Sequence, residues 1–227
     1  MNFERYVKNT NSFSKEEVES MFTKKVCIIG CGGLGGYTIQ ILARFGIGHL
    51  TLVDGDVFVE SNLNRQLFAT EKTIGKYKVE VCKSGLAEIN SNINVKTFNC
   101  MISESNVNSI ITNHDIVIDC LDNIETRLLL EKACSEENIP LVHGAIAGFF
   151  GQVTTIYPGD KTLEKIYKNK NKGIESKWGN PSFIPPTVAS IQCCEAIKVL
   201  VGKGEVFRNK LLYVDLLNND FEIININ

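Results

Sequence analysis

Three features that would indicate a membrane, nucleic-acid or extracellular protein are missing from this sequence. No run approaches the ~20 consecutive apolar residues that span a bilayer. The segment from Met1 to Lys8 lacks the apolar centre of a signal peptide. The formal net charge is only −2, whereas nucleic-acid-binding proteins usually present a basic face. We therefore expect a cytoplasmic protein with neither a membrane nor a nucleic acid as its partner.

The cysteines also lack the spacing of a metal site or a disulfide framework. No two of them form a C-x-x-C pair, so a structural zinc site has no visible ligands and zinc is not expected. Most lie in apolar runs, where a free cysteine behaves as a small hydrophobic residue. Cys31 stands near the start of a predicted helix, which tends to lower the pKa of a thiol. Packing toward the core is nevertheless the favoured interpretation of Cys31.

The sequence does contain a regular alternation of apolar strands and helices. Strands are predicted at 25–30, 49–53, 94–99, 115–119, 141–143 and 151–157, and helices at 33–44, 76–90, 104–112, 124–137 and 187–201. This order predicts a doubly wound, Rossmann-like α/β fold with a mostly parallel sheet. Residues 1–23 form an N-terminal arm with a capped helix at 14–22, and strands at 211–215 and 221–226 form an antiparallel C-terminal extension.

One segment interrupts this alternation within a single predicted domain that spans residues 1–227. Residues 158–186 contain four of the five prolines, and six lysines follow one another closely there: Lys161, Lys165, Lys168, Lys170, Lys172 and Lys177. We predict an irregular crossover loop, because a loop of this length in a compact domain is usually functional or mobile. A plain solvated linker is the alternative.

A glycine-rich turn joins the first long strand to the following helix. Residues 26–35 read VCIIGCGGLG, which contains the G-x-G-x-x-G pattern of nucleotide-binding folds. Its glycines would let phosphate approach the backbone and the N–H groups of the helix N-terminus; they are Gly30, Gly32, Gly33 and Gly35. Asp54 follows the second strand and would bind a ribose hydroxyl. Because most chains with this pattern bind dinucleotides, an NAD-dependent oxidoreductase is a competing prediction.

Charged residues downstream of the glycines favour ATP. A dinucleotide pyrophosphate carries about two negative charges and ATP about four, of which a glycine turn and helix dipole balance only part. Arg65 lies in the loop after the second strand, Lys78 at the start of the next helix, and Asp122 after strand 115–119. The carboxyl ends of parallel strands share one crevice, so we predict a Mg·ATP site there. The alternatives are a surface arginine, a solvated lysine and an aspartate that caps a helix.

Several motifs resemble the bacterial MoeB/ThiF/HesA proteins, which are relatives of the ubiquitin-activating enzymes. Besides the glycine turn they are LVDGD (52–56), SNLNRQ (61–66), IGKYKV (74–79), DCLDN (119–123) and GQVT (151–154). The resemblance covers about residues 24–157 and resumes at 185–200. The joint occurrence of N-x-x-R-Q and C-x-D-N is far more specific than the glycines alone.

The resemblance implies an adenylyltransferase that uses ATP and Mg²⁺. Its substrate would be the C-terminal Gly-Gly carboxylate of a small ubiquitin-like sulfur carrier protein, with release of pyrophosphate, and the enzyme would be a symmetric homodimer. Matched by residue, Asp54 would hold the ribose, Asp122 would hold Mg²⁺, and the phosphates would contact Asn62, Arg65, Gln66 and Lys78. Asp56 belongs to the same ATP site, and the catalytic residues would be Arg65, Lys78 and Asp122.

The sequence departs from the family pattern in three ways. The two C-x-x-C pairs of many members are missing, and Trp178–Phe183 lacks the cysteine of ThiF-like members, so adenylation without a thiol step is expected. Lys8 stands where the family's N-terminal arm carries an arginine that reaches the partner subunit's ATP site. Lysine keeps the charge of that arginine but not its bidentate fork.

Two further functions stay open. One is ATP-dependent activation of a non-protein carboxylate, such as one on a modified tRNA base. The other is a nucleotide-binding scaffold protein that has lost its chemistry, against which Arg65, Lys78 and Asp122 argue. Three histidines lie at strand edges, where structural roles are expected: His49, His114 and His143.

Overall fold

A computed structural model describes residues 3–168 and 178–226, which build one eight-stranded sheet with helices on both faces. The strand order is β3-β2-β1-β4-β5-β6-β7-β8. The strands are β1 (Lys25–Ile29), β2 (His49–Val53), β3 (Asn94–Phe98), β4 (Ile116–Asp119), β5 (Leu141–Ala147), β6 (Phe150–Ile156), β7 (Lys210–Asp215) and β8 (Asp220–Asn225). The first five strands in this order, from β3 to β5, pair in parallel. Strands β6, β7 and β8 extend the sheet beyond β5 with antiparallel pairing. The predicted doubly wound, mostly parallel fold is confirmed.

Helices cover both faces of the sheet. They are α1 (Lys15–Ser20), α2 (Gly33–Phe45), α3 (Lys78–Ile89), α4 (Val107–Ile111), α5 (Ile124–Glu136), α6 (Thr162–Ile166) and α7 (Ile184–Val201), with short 3-10 helices at Phe3–Asn9, Met21–Thr23 and Glu60–Asn62. One apolar core lies between the sheet and α2, α3 and α7, and a second lies between the sheet and α4, α5 and α6. Burial from both sides explains why the central strands are continuous apolar runs.

The order in which the chain adds strands to the sheet reverses at β1. The chain runs outward from β1 through β2 to β3 and then returns to β4 on the other side of β1. Helices that follow β1 and β4 leave on opposite faces, so a crevice opens at the carboxyl ends of these two strands. In open α/β sheets such a switch point is where ligands bind.

The N-terminal arm is fastened to its own chain. Ser14 and Glu17 form the predicted capping box of α1. Tyr6 is buried, and its hydroxyl accepts a hydrogen bond of 2.8 Å from the Asn90 side chain at the end of α3. Asn90 also donates to the backbone oxygen of Ala43. The arm therefore packs where α2 and α3 end, which is the side of the domain opposite to the β1–β4 crevice.

The predicted crossover loop at 158–186 is only partly irregular. It contains α6, and α7 begins at Ile184 rather than at residue 187. Pro185 and Pro186 lie in the first turn of α7, where a backbone N–H has no helical partner to lose. Glu131 of α5 accepts hydrogen bonds from the first amides of α6, a tertiary contact that sequence periodicity does not reveal. Three of the lysines in the predicted loop, at positions 170, 172 and 177, lie outside the described residues.

One helix of the described chain, α7, is long and apolar enough by length and composition to cross a membrane. It is not an unbroken apolar run, because it includes Gln192, Glu195 and Lys198. In the structure α7 packs on α2 and on strands β5 and β6. Its apolar composition is that of a helix within the core of the domain.

Candidate nucleotide-binding site

A cavity lies at the carboxyl ends of β1, β2, β3 and β4. Its wall includes the glycine turn after β1, Asp54 and Asp56 after β2, residues 100–102 after β3, and residues 120–123 after β4. Arg65, Gln66 and Lys78 lie on the same wall. The structure therefore brings together predicted site residues that are as distant in the sequence as Gly30 and Asp122.

The glycines of the turn serve two purposes. Gly30 has a φ of 98°, and a Cβ there would lie 2.6 Å from the Cys120 carbonyl oxygen. A Cβ at Gly35 would lie 1.9 Å from the Gly30 carbonyl oxygen. Gly32 and Gly33 line the cavity, where a Cβ would meet only side-chain atoms at 3.4 Å or more. Among the described residues Gly35 lies behind the cavity wall, so its place in the motif follows from the contact between helix and turn.

Asp54 ties the glycine turn to the second strand. Its Oδ2 accepts a hydrogen bond of 2.7 Å from the Cys31 amide, and its Oδ1 accepts one of 2.8 Å from the Asp56 amide. Burial raises the pKa of Asp54, although Lys78 and the two amides oppose this shift. Lys78 stays close enough to favour the ionised carboxylate, with its Nζ 4.0 Å from Oδ2. The carboxylate predicted to hold a ribose thus fixes the geometry of the glycine turn.

The loop with Arg65 is built by Asn62. The Asn62 side chain accepts a hydrogen bond from the Val59 amide, and its backbone oxygen accepts from the amides of Arg65 and Gln66. Arg65, Gln66 and Lys78 line the cavity, whereas Asn62 is not among its described lining residues. The hydrogen bonds of Asn62 shape the loop instead. Arg65 lines the cavity while Nη1 donates to the Ser61 backbone oxygen and to Asn64 Oδ1.

Gln66 is buried on the cavity wall. Its Oε1 is a buried polar atom with no hydrogen-bond partner among the described residues. A buried polar atom without a partner is costly. The side-chain amide therefore suits a polar ligand in this cavity better than an apolar one.

Asp122 is exposed on the cavity wall at the start of α5. The N-cap of α5 is the next residue, Asn123, whose Oδ1 accepts a hydrogen bond of 2.9 Å from the Thr126 amide. The alternative interpretation of Asp122 as a helix cap is therefore wrong. Asp122 lines the cavity instead.

The donors at this rim fit Mg²⁺ together with a polyphosphate. Magnesium is usually held by one or two carboxylates, several waters and the phosphates of a substrate. Within the described ranges, no group of three or more His, Cys, Asp or Glu side chains is arranged to hold a metal alone. Asp122 would supply a hard oxygen ligand, and a cation here would take most of its other ligands from phosphate and water.

Other wall residues escaped the sequence analysis. Cys100, Met101 and Ile102 follow β3, and the rule that strand ends line the crevice could have found them. Arg127 is almost fully buried on α5, and Asn180 comes from the far end of the crossover segment. No local signal marks either one, because long-range packing brings both to the cavity.

Lys8 and Cys31 have other environments than the cavity. Lys8 is exposed on the 3-10 helix Phe3–Asn9 and, among the described residues, is not on the cavity wall of its own chain. Cys31 is only 1% exposed, and a hydrogen bond with Cys82 together with burial raises its pKa. The favoured interpretation of Cys31, packing toward the core, is therefore confirmed.

The predicted structural roles of the histidines agree with their contacts at two positions. His143 is fully buried, and its Nδ1 lies 2.6 Å from Asp119 Oδ2. His114 contacts the backbone oxygen of Ile111 and the Thr51 hydroxyl. Neither histidine lines the cavity within the part of the chain that the structure describes.

Comparisons with known proteins agree with this geometry. The sequence model of the ThiF family matches residues 4–227. The chain is 35% identical over 208 residues to the SAMP-activating enzyme E1 of Haloferax volcanii, covering 90% of this chain and 77% of that protein. It is 37% identical over 201 residues to the molybdopterin-synthase adenylyltransferase of Haemophilus influenzae, covering 87% and 83%.

Solved structures share the fold. The crystal structure of E. coli MccB with ATP superposes with a TM-score of 0.85 at 24% identity, over 100% of this chain and 72% of that one. The crystal structure of PaaA gives a TM-score of 0.85 at 21% identity, over 99% and 73%. At these identities the likeness extends to the architecture only.

Proposed function

The chain belongs to the ThiF family, and on that basis we propose that it adenylates the C-terminal Gly-Gly carboxylate of a small ubiquitin-like sulfur carrier protein with ATP, releasing pyrophosphate. One observation supports this most directly. The glycine turn, Arg65, Lys78 and Asp122 line a single cavity at the switch point of the sheet. Relatives of high coverage are named as an adenylyltransferase and an activating enzyme E1.

The residues on the wall suit phosphoryl chemistry without a general base. A peptide carboxylate is already ionised at neutral pH and can attack the α-phosphorus directly. It then needs placement in line with the leaving pyrophosphate and neutralisation of the charge that develops. Arg65 and Lys78 supply positive charge at the cavity wall. Asp122 would hold Mg²⁺, which when bound neutralises further phosphate charge.

Aromatic side chains beside the cavity support a protein substrate. Phe149 and Phe183 are each about two-fifths exposed, and their ring centroids lie 5.0 Å apart. Trp178 is also exposed and contacts Phe150. Trp178 and Phe183 lie within three positions of Asn180, which is on the cavity wall, and Gly148, next to Phe149, donates a hydrogen bond to the Gly179 backbone oxygen. Exposed apolar groups next to a catalytic cavity are typical of a protein-docking surface, whereas a small carboxylate would not require them.

The alternatives are weaker. An NAD-dependent oxidoreductase or activation of a tRNA base finds no counterpart in the names of the high-coverage relatives. The position that carries a cysteine in ThiF-like members has none here, since residues 178–183 read WGNPSF. We therefore propose adenylation without a covalent thiol step at that position.

Pyrophosphate exchange tests the proposal. The purified chain is incubated with ATP, Mg²⁺ and labelled pyrophosphate, with and without a carrier protein that ends in Gly-Gly. We expect exchange that depends on the carrier and disappears when its last two glycines are removed. Titration calorimetry with ATP and with NADH serves as the second measurement. Tight NADH binding without ATP binding would overturn the proposal.

We further propose a symmetric homodimer in which Lys8 contacts the partner subunit's ATP. The exposed position of Lys8 on an arm that packs away from its own cavity supports this arrangement. Light scattering after size-exclusion chromatography would give the oligomeric state. In a mixture of Lys8→Ala and Arg65→Ala chains, mixed dimers with one intact site would recover part of the exchange activity. A monomer would refute the contact between subunits.

A further inference from the structure

We propose that Tyr167 and His143 are positioning residues for the loop that carries Asp122. They act with Asp119 and Arg127 through a closed ring of hydrogen bonds that fastens the start of the crossover segment to this loop. The inference rests on the proposed function only for the metal-binding role of Asp122. The ring itself is a feature of the folded chain.

The ring begins and ends on the backbone of Leu121, the residue before Asp122. The Leu121 amide donates a hydrogen bond of 2.9 Å to Asp119 Oδ1. The Leu121 carbonyl oxygen accepts one of 2.7 Å from Arg127 Nη2. Side chains therefore hold both backbone polar groups of this residue beyond the end of β4. The direction in which the chain leaves Leu121, and with it the position of Asp122, depends on Asp119 and Arg127.

Buried contacts connect these two anchors. Asp119 Oδ2 lies 2.6 Å from His143 Nδ1, and both side chains are completely buried. His143 Nε2 lies 3.1 Å from the Tyr167 hydroxyl oxygen. Arg127 Nη1 donates to the same hydroxyl oxygen at 3.2 Å. The path from Leu121 through Asp119, His143, Tyr167 and Arg127 thus returns to Leu121.

The chemistry of the groups sets several of these hydrogen-bond directions. The Asp119 carboxylate accepts, so His143 carries a proton on Nδ1, and in a neutral imidazole Nε2 then has the lone pair. The Tyr167 hydroxyl and Gln152 Nε2 each lie 3.1 Å from this nitrogen and can donate to it. The Tyr167 oxygen accepts from Arg127, which only donates, and from Gln152 Nε2 at 2.7 Å. Tyr167 is the ring member that contacts both His143 and Arg127.

Tyr167 is also the only ring member from the crossover segment among the described residues. It follows α6 directly, and Glu131 holds the first turn of α6 by accepting from the amides of Leu163 and Glu164. Arg127 and Glu131 are four residues apart and lie on the same face of α5. Any displacement of α6 therefore removes partners from Arg127 and His143 together. Metal binding at Asp122 and the position of α6 are coupled through this ring, and such coupling is reciprocal.

The substitution Tyr167→Phe tests the hydrogen-bond ring because it removes one hydroxyl and keeps the volume of the aromatic side chain. Loss of a group that orients a metal ligand typically lowers metal affinity ~10-fold or more. We expect the Mg²⁺ concentration for half-maximal exchange to rise ~10-fold, while the rate at saturating Mg²⁺ changes much less. In ligand-free protein we expect the Leu121 amide to exchange its hydrogen faster, as measured by NMR. Tyr157→Phe is the matched control, because the Tyr157 ring packs on Arg208 outside the network.

An unchanged Mg²⁺ dependence together with an unchanged Leu121 amide would overturn the inference. Arg127→Lys is the second variant and is used if Tyr167→Phe does not fold. A lysine has one ammonium group in place of the two guanidinium nitrogens that contact Leu121 and Tyr167, so we expect the same two shifts. If the unmodified protein shows no exchange, the proposed function fails. The Leu121 amide and the Mg²⁺ dependence of ATP binding, followed by calorimetry, then still decide whether the ring positions the loop.

Discussion

Lys78 and Asp56 form an ion pair at the edge of the cavity, with 2.9 Å between Nζ and Oδ2. The two partners differ in exposure, because the Lys78 side chain is 9% exposed and that of Asp56 is 52% exposed. The ammonium is thus fixed in the wall by a carboxylate that remains in contact with water. A polyphosphate can take over part of the Lys78 charge while solvent compensates Asp56, so binding leaves no buried charge unpaired.

Replacing Lys78 should therefore impair catalysis more than folding. We expect Lys78→Ala to lower the rate of pyrophosphate exchange by ~10²–10³, since this is typical for loss of one charged group that stabilises a transition state. Lys76→Ala is the control, because Lys76 is exposed two residues earlier and is not on the described cavity wall. Equal rates for the two variants would remove Lys78 from the site.

Arg65 should act through its shape as well as its charge. Arg65→Ala is expected to abolish measurable exchange, and Arg65→Lys should restore only part of it, because lysine lacks the planar fork that matches phosphate. Arg44→Ala, at an exposed position on α2, provides the control. Circular dichroism spectra that match the unmodified protein would show that the loss is chemical. Full activity in Arg65→Lys would mean that the charge alone matters.

Asp122 should be needed for metal-dependent catalysis and not for the helix that it precedes. Because Asn123 supplies the N-cap of α5, Asp122→Asn should leave the melting temperature nearly unchanged. Exchange should fall by at least ~10² and should recover little at raised Mg²⁺. Glu125→Gln removes the same charge from the first turn of α5 and should keep activity. An active Asp122→Asn variant would exclude the metal-binding assignment.

The cysteines should differ in their reactivity. Cys31 is buried and its pKa is raised, whereas Cys194 is exposed on α7. Only a thiolate reacts with alkylating reagents, so brief treatment with iodoacetamide at neutral pH should modify Cys194 well before Cys31. Peptide mass spectrometry would locate the label. Early labelling of Cys31 would instead indicate a reactive thiol in the glycine turn.

Asp160 should make stability depend on pH in the acid range. Its carboxylate accepts two hydrogen bonds from Arg208 and one from the Tyr157 amide, and although partial burial opposes them, these lower the pKa of Asp160. A lowered pKa in the folded state stabilises the protein above the ordinary pKa of about 3.9, and this contribution is lost as the pH falls further.

The corresponding measurement compares Asp160→Asn with the unmodified protein across pH. Because half of the Arg208 side chain is exposed, solvent screens the pair, and the loss at pH 7 should not exceed about 1 kcal/mol. The difference in unfolding free energy should shrink as the pH falls below about 4. Glu205→Gln, at an almost fully exposed position, should show no such trend. A difference that grows in acid would contradict the assignment.

The sequence predicted the architecture well because buried parallel strands appear as continuous apolar runs. It placed β2 (His49–Val53) at its observed bounds and located the glycine turn, Asp54, Lys78 and Asp122 correctly relative to the strand ends. Strand β5 is longer than predicted, because glycine and alanine dominate its second half and give no apolar signal.

Features that depend on distant residues could not be predicted. The start of α6 is held by Glu131, more than 30 positions earlier in the chain. The contact between Asp119 and His143 joins neighbouring strands whose pairing only the folded sheet reveals. Asn62 is a different case, because its side chain accepts a hydrogen bond from the Val59 amide within the loop, and its predicted contact with phosphate stays a prediction.

The turn after β1 has a consequence for how this motif can vary during evolution. Gly30 and Gly35 are surrounded by the chain's own carbonyl groups, so any larger residue there is rejected whether or not a nucleotide is present. Gly32 and Gly33 line the cavity, where a methyl group would leave the fold intact and would obstruct only a bound ligand. A homologue that no longer binds nucleotide could therefore accept substitutions at Gly32 and Gly33, whereas Gly30 and Gly35 would have to remain glycine.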